Sequence, residues 1–264
     1  MMEIALIGSE NPLGRAWAAS RIFDYLAGDA DPAFPHNKQF SLVGLIDPAL
    51  WKAPFLIRGN NAAAEEAAMD TRKLLRRIPD LKTDRFVFVT TADLLPEDGH
   101  EKSEIIEPGH DEYLAFRSEL YHLVNSQFGR VLTIFIPELA VADPAFSVLG
   151  LLQAPPQKGK LPLSPLERHQ LYPPGRLDSD IRRLFSLGVS RFVAAMPALT
   201  SAELVSQLAP ELAPLLPDFT ADDPLGSNRT SLLAFHWLDS KSGHLVTRDT
   251  QIAQLRALLA ADAL

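Results

Sequence analysis

Glu3-Ile4-Ala5-Leu6-Ile7-Gly8-Ser9-Glu10-Asn11-Pro12-Leu13-Gly14 is the stretch that decides the fold. A short apolar run ended by glycine suits a strand buried on both faces, as in a parallel sheet. The Ala-rich residues 15–27 that follow have helical composition. Strand, glycine turn and helix in that order form the opening of a dinucleotide-binding unit. There the first glycine makes the tight turn, and pyrophosphate approaches backbone N–H groups at the helix N-terminus. Gly8 and Gly14 stand at the first and last glycine positions, with Asn11 at the middle one. Ser9, Asn11 and Leu13 complete the candidate cofactor turn. The bland alternative is an ordinary strand–helix turn that binds nothing.

Outward from this turn, strands and helices alternate. Residues 40–47 read as the second strand and 54–57 as a short third one. Residues 60–78 read as a helix, with Glu65 and Glu66 near its start and Arg72, Lys73, Arg76 and Arg77 near its end, an order that complements the helix dipole. Phe86-Val87-Phe88-Val89 is another strand, ending in Thr90-Thr91. Residues 112–128 form a helix in which Tyr113, Phe116, Leu120, Val124 and Phe128 recur on one face. Residues 131–136 are a further strand. The pattern predicts an α/β fold: a Rossmann-like doubly wound parallel sheet with a small, loop-rich C-terminal substrate lobe. The expected division is a dinucleotide-binding core over 1–140 and a region over 141–264 that partly completes the core and partly forms the lobe. Six prolines between 155 and 174 make that stretch loop-rich. It reads as a loop over the substrate cleft, or alternatively as a docking segment. Helices are expected over 178–187, 200–208 and 248–260, around a strand at 192–195.

Composition bounds the function. The 264 residues contain 25 Lys+Arg, 33 Asp+Glu and no cysteine. No disulfide scaffold, thiolate zinc site or cysteine nucleophile is open to this chain. Its net charge of −8 disfavours nucleic acid as a partner. The apolar runs 131–136 and 146–152 fall far short of the roughly 20 residues a spanning helix needs, so no membrane partner is expected. Met1-Met2-Glu3 carries no basic leader, and the expected location is cytoplasmic. The seven histidines are scattered without ligand spacing, so no metal is expected. Trp17, Trp51 and Trp237 read as packing residues, and Arg182-Arg183 as a solvated face.

Asp47 ends the second predicted strand, where an acid can hydrogen-bond a cofactor ribose and favour NAD over NADP; Arg58 pulls the other way. A turn-forming Asp before Pro48 explains it equally well. Tyr113 and Arg117 lie four residues apart, on one helix face. A tyrosine is a poor base at its ordinary pKa of about 10, and a nearby cation lowers that value. A core aromatic beside a solvated arginine is the plain alternative.

Taken together, Gly8–Gly14, Thr90-Thr91 after a strand, Tyr113-x-x-x-Arg117 and the strand at 131–136 resemble the extended short-chain dehydrogenase/reductase family, which includes nucleotide-sugar epimerases and dehydratases. The stretch Leu171-Tyr172-Pro173-Pro174-Gly175-Arg176-Leu177-Asp178-Ser179-Asp180-Ile181 and the region 227–259 are similar to a bacterial epimerase/dehydratase-like branch of it. The resemblance implies an NAD(P)-dependent oxidoreductase or epimerase acting on a nucleotide-linked sugar, with NAD or NADP as cofactor and a homodimer as assembly. It implies Thr91, Tyr113 and Arg117 as catalytic positions. It also implies Gly8, Ser9, Asn11, Leu13, Gly14, Asp47 and Thr90 as cofactor-binding positions. Asn11, Arg117 and Leu95 depart from the family's middle glycine, lysine and tyrosine. The alternative is a catalytically inactive binding or sensor protein on the same scaffold.

Overall fold

The computed structural model describes residues 3–28, 38–51, 61–96, 103–109, 111–144, 147–155, 159–217 and 244–261. The strand expected at 54–57 lies outside them, as do Arg58, Trp237, His36, His100, His110 and His236, and all of 227–243.

Strand β1 (Glu3–Ile7) runs into helix α1 (Pro12–Ser20) and then strand β2 (Tyr25–Ala27). The predicted helix over 15–27 therefore stops early, at an extended Arg21. Tyr25–Ala27 is the true second strand of the sheet. Next come β3 (Gln39–Ile46), α2 (Asn61–Arg77), β4 (Lys82–Thr83) and β5 (Phe86–Thr91). Helix α3 (Glu112–Gln127) leads to β6 (Val131–Ile136). The short β7 (Glu138–Leu139), α4 (Val148–Gln153), β8 (Arg168–His169) and β9 (Leu171–Tyr172) come after it. Helix α5 (Leu177–Ser186), β10 (Arg191–Val193), β11 (Leu199–Thr200), α6 (Ser201–Leu208) and α7 (Arg248–Ala261) complete the order.

Seven of these strands form one parallel sheet, in the order β10-β6-β5-β3-β1-β2 with β4 alongside β3. Strand order reverses at β1. From there β2 lies to one side and β3, β5, β6 and β10 to the other. Right-handed crossovers then place α1 on one face and α2 with α3 on the opposite face. The doubly wound sheet expected from the sequence is what forms. Only eleven residues, 28 to 38, separate β2 from β3.

The sheet is buried on both faces. Phe40, Val43, Leu45, Phe86, Phe88, Leu132 and Phe135 form its core, and Phe86 stacks on Phe128 with ring centroids 4.4 Å apart. Trp17 of α1 is fully buried over Gly44, where a Cβ would collide with its ring at 2.5 Å. Its Nε1 donates to Asp178 at 3.3 Å, tying α1 to α5. Tyr172 donates to Asp180 at 2.8 Å. The polar residues of the 171–181 motif thus hold α5 to the core. Arg182 is exposed and paired with Asp178, as a solvated face would be.

A second apolar cluster gathers Ala140, Leu149, Leu163, Leu171, Leu199, Leu204, Leu212 and Leu255. It packs α4, α6 and α7 together around the small β8–β11 and β7–β9 pairs. Among the described residues no helix is long and apolar enough to cross a membrane.

Candidate functional site

Ligands of open α/β sheets bind beyond the carboxyl ends of the strands, where strand order reverses. Here β1, β3 and β5 meet at that place: Gly8 follows β1, Asp47 follows β3 and Thr91 ends β5.

Gly8 has φ +85°, a left-handed backbone that only glycine adopts without strain. Gly14 packs so closely that a Cβ on it would lie 2.0 Å from the Gly8 carbonyl oxygen. Both glycines therefore do what the turn requires. Asn11 caps α1: its Oδ1 accepts from the Gly14 N–H at 2.7 Å and its Nδ2 donates to the Gly8 carbonyl at 2.5 Å. The Asn side chain fills the space a middle glycine would leave, and it takes one of the amides at the helix start. Ser9 donates its hydroxyl to Ala27 at 3.2 Å, and Leu13 is buried in the core. The Ser9 main-chain N–H also donates to the Ala27 carbonyl, at 3.1 Å.

Asp47, expected to reach a ribose, is fully buried and turned inward. The cause is topological. It ends β3, on the opposite side of β1 from β2, whose carboxyl end carries the ribose acid in this kind of sheet. Its Oδ1 accepts from the Ala49 N–H at 2.9 Å. Its Oδ2 takes the Thr90 hydroxyl at 2.5 Å and Arg117 Nε at 3.1 Å.

Arg117 is fully buried, not solvated. Besides Asp47 it donates to Asp93 at 3.0 Å, to Thr90 at 3.3 Å and to Thr91. The guanidinium plane also lies 4.9 Å from the centre of the Tyr113 ring. Burial works against its charge, but Tyr113, Asp93 and Asp47 outweigh that, and its pKa is raised. The structure thus brings Thr90, Thr91, Tyr113, Arg117 and Asp47 into one cluster, with Asp93 as a member the sequence gave no reason to include.

Tyr113 is buried, and among the described residues its hydroxyl has no hydrogen-bond partner. An unmade hydrogen bond on a buried hydroxyl is costly, on the order of 1–3 kcal/mol. Burial pushes the phenol well above its ordinary pKa. Arg117 pulls it down, but Asp93, Asp47 and Asp111 add to the rise. The side chain is therefore a protonated phenol at neutral pH, contrary to the expectation that the neighbouring cation would make it acidic.

Two further constellations lie in the second cluster. His169 stands between Glu138 (3.0 Å from Nδ1) and Ser201 (2.9 Å from Nε2). Ser201 is fully buried, so this acid–imidazole–hydroxyl line links β7, β8 and α6 and presents no nucleophile. Beside it opens a cleft of about 550 Å3 lined by Arg168, Thr200, Glu203, His244, Thr247 and Arg248. Arg248 pairs with Glu203, and burial lowers the His244 pKa.

No protein-family model and no curated protein matches this sequence. Solved structures do match in three dimensions. A dTDP-4-dehydrorhamnose reductase from Clostridium acetobutylicum superposes with TM-score 0.65 at 12% identity, covering 100% of both chains. The same kind of enzyme from Bacillus anthracis, in complex with NADP, gives 0.57 at 11%, covering 88% of this chain and 89% of that one. A UDP-glucose 4-epimerase from Thermotoga maritima, with UDP-glucose, gives 0.62 at 9%, covering 100% of both. At these identities the likeness establishes the fold, which is the one expected from the sequence.

Proposed function

We propose that this chain is an NAD(P)-dependent oxidoreductase that reduces a carbonyl group on a nucleotide-linked sugar. The observation that carries the reading is the buried, unpartnered Tyr113 hydroxyl beside Thr91 and Arg117, at the carboxyl edge of the sheet. The solved structures that share the fold include reductases and epimerases of dTDP- and UDP-sugars, which supports the substrate class.

The turn fits a dinucleotide. Gly8 keeps its left-handed backbone, and Gly14 leaves no room for a side chain against Gly8. Asn11 withdraws the Gly14 amide, so this cradle offers one donor fewer. When bound, the nicotinamide supplies the hydride, chemistry that no side chain here provides.

The chain's own part is proton transfer and placement. Thr91 accepts from Arg117 and keeps its hydroxyl proton to donate to a substrate oxygen. The Tyr113 phenol holds a proton at its Oη and releases it to the same oxygen as a carbonyl becomes an alcohol. Arg117 cannot relay that proton, because a guanidinium stays charged. Its role is to fix the ring from below and to offset the phenolate charge that develops. A phenol with a raised pKa holds its proton more tightly, so it stays in the protonated form from which carbonyl reduction starts and is rarely the phenolate that alcohol oxidation starts from. The reductive direction is thus favoured over alcohol oxidation, which an epimerase must also perform.

The second apolar cluster, beginning near residue 140, is the proposed substrate lobe. Arg168 and Arg248 in its cleft suit a diphosphate. A cytoplasmic homodimer belongs to the same reading: the α2–α3 pair exposes Met69 and sets Arg72 over Phe116 at 5.9 Å. Size-exclusion chromatography with light scattering reads its mass.

Tyr113→Phe is the test. Turnover of a keto-sugar nucleotide with reduced cofactor falls about 10²–10⁴-fold, while the dinucleotide still stabilises the variant against heat. Full turnover by Tyr113→Phe overturns the mechanism. A wild-type protein that is stabilised by dinucleotide but turns over no keto-sugar nucleotide supports the inactive binding reading instead.

A further inference from the structure

We infer that Glu10, in the glycine turn, is the acid that reads the adenosine ribose and selects NAD over NADP. This rests on the dinucleotide reading above. In a sheet of this kind the ribose acid stands at the carboxyl end of the strand beside β1, about 20 residues beyond the glycine turn. Here that strand is β2, and the residue after it is Gly28, which has no side chain.

The place is nevertheless filled. A Cβ built on Gly28 would lie 2.7 Å from Glu10 Cδ, 2.7 Å from Oε1 and 2.9 Å from Oε2. The Glu10 carboxylate therefore occupies the volume that the side chain of residue 28 would take. Glycine at 28 is what admits it. Among the described residues no hydrogen bond or ion pair holds those oxygens, and Glu10 is exposed. Arg15 anchors the segment by donating to the Glu10 main-chain carbonyl at 2.5 Å. Two adjacent carboxylate oxygens can accept from a ribose diol and repel a phosphate on the 2′ position. Arg15, the neighbouring cation, becomes available to a 2′-phosphate once that repulsion is removed.

Calorimetric titration of the full chain with NADH and with NADPH tests the assignment without relying on turnover. The wild-type protein prefers NADH by about tenfold or more. Glu10→Gln, an exposed and isosteric change, narrows or reverses that ratio. Adding Arg15→Ala to Glu10→Gln removes the gained NADPH affinity. A ratio unchanged in Glu10→Gln overturns the inference, as does a ratio that moves only with Asp29→Asn, the next acid along the chain. Binding of neither dinucleotide by the wild-type protein overturns the underlying reading as well, an outcome distinct from equal binding of both.

Discussion

The glycine turn and the Arg117 cluster each replace one residue of the pattern they resemble, and they absorb the change in opposite ways. Asn11 is accommodated within its own turn. Its carboxamide bonds Gly8 and Gly14, both three residues away. Arg117 is accommodated by distant chain: Asp93, Thr90 and Asp47 lie 24, 27 and 70 residues from it in sequence. A small polar side chain at a helix start needs only the backbone groups already there. A buried cation needs carboxylates and hydroxyls brought from other strands, because an unpaired buried charge is prohibitively expensive. The first change trims a binding surface. The second rebuilds the floor of the site.

The strongest way to break this contrast is at Asp47. Asp47→Ala leaves a fully buried guanidinium with the largely buried Asp93 as its remaining carboxylate. It should cost about 3–5 kcal/mol in urea unfolding. A loss under 1 kcal/mol would mean that Asp47 does not balance the charge. Arg117→Lys introduces the lysine of the pattern this helix resembles yet should destabilise by about 2 kcal/mol, since an ammonium cannot match four partners held in a planar fork. Improved stability there would show that the cluster is not built around the guanidinium. Asn11→Ala should lose about 1 kcal/mol, and Asn11→Gly only a few tenths. Asn11→Gly also frees the Gly14 amide, so dinucleotide affinity should rise; a fall would mean the carboxamide itself contacts the ligand.

The pH dependences separate the two regions further. Tyr113 has its folded pKa raised, so the proton-donating form persists through neutral and mildly alkaline pH. Carbonyl reduction should show no alkaline decline below the ordinary tyrosine range, and a decline near pH 8 would contradict the buried phenol. Glu203, at the other cluster, has its pKa lowered. Burial opposes the shift, but the Thr200 N–H and Arg248 outweigh it. Its contribution is present above the ordinary carboxylate pKa and is lost as pH falls through the lowered value. Glu203→Gln should lower stability slightly at neutral pH, flatten the acid limb, and leave stability below the lowered pKa unchanged.

Much of the fold was readable because its signals are local. Five residues of apolar run, a glycine and an Ala-rich helix announce the first unit, and Phe86–Thr91 followed by an amphipathic helix announces another. β2 was missed because Tyr25–Ala27 is too short for any periodicity and directly follows helical composition. Without β2 in the strand count, the acid proposed for a ribose was Asp47, which follows β3 and is buried. Within the site, Tyr113 and Arg117 were legible as a pair on one helix face. Their state was not, because it depends on Asp47 and Asp93, which adjoin them only through the sheet. His169 showed no partner in the sequence for the same reason: Glu138 and Ser201 lie 31 and 32 residues away.

Among the described residues the sheet is bordered on the far side of β1 by β2, three residues long, and this has a bearing on solubility. A margin three residues long exposes few free N–H and C=O groups, too few to template an incoming strand. Leu26 and Ile22 are exposed along that margin, and on a longer strand they would invite a neighbouring molecule to add on. A border strand this short therefore blunts an edge that a longer one would leave adhesive.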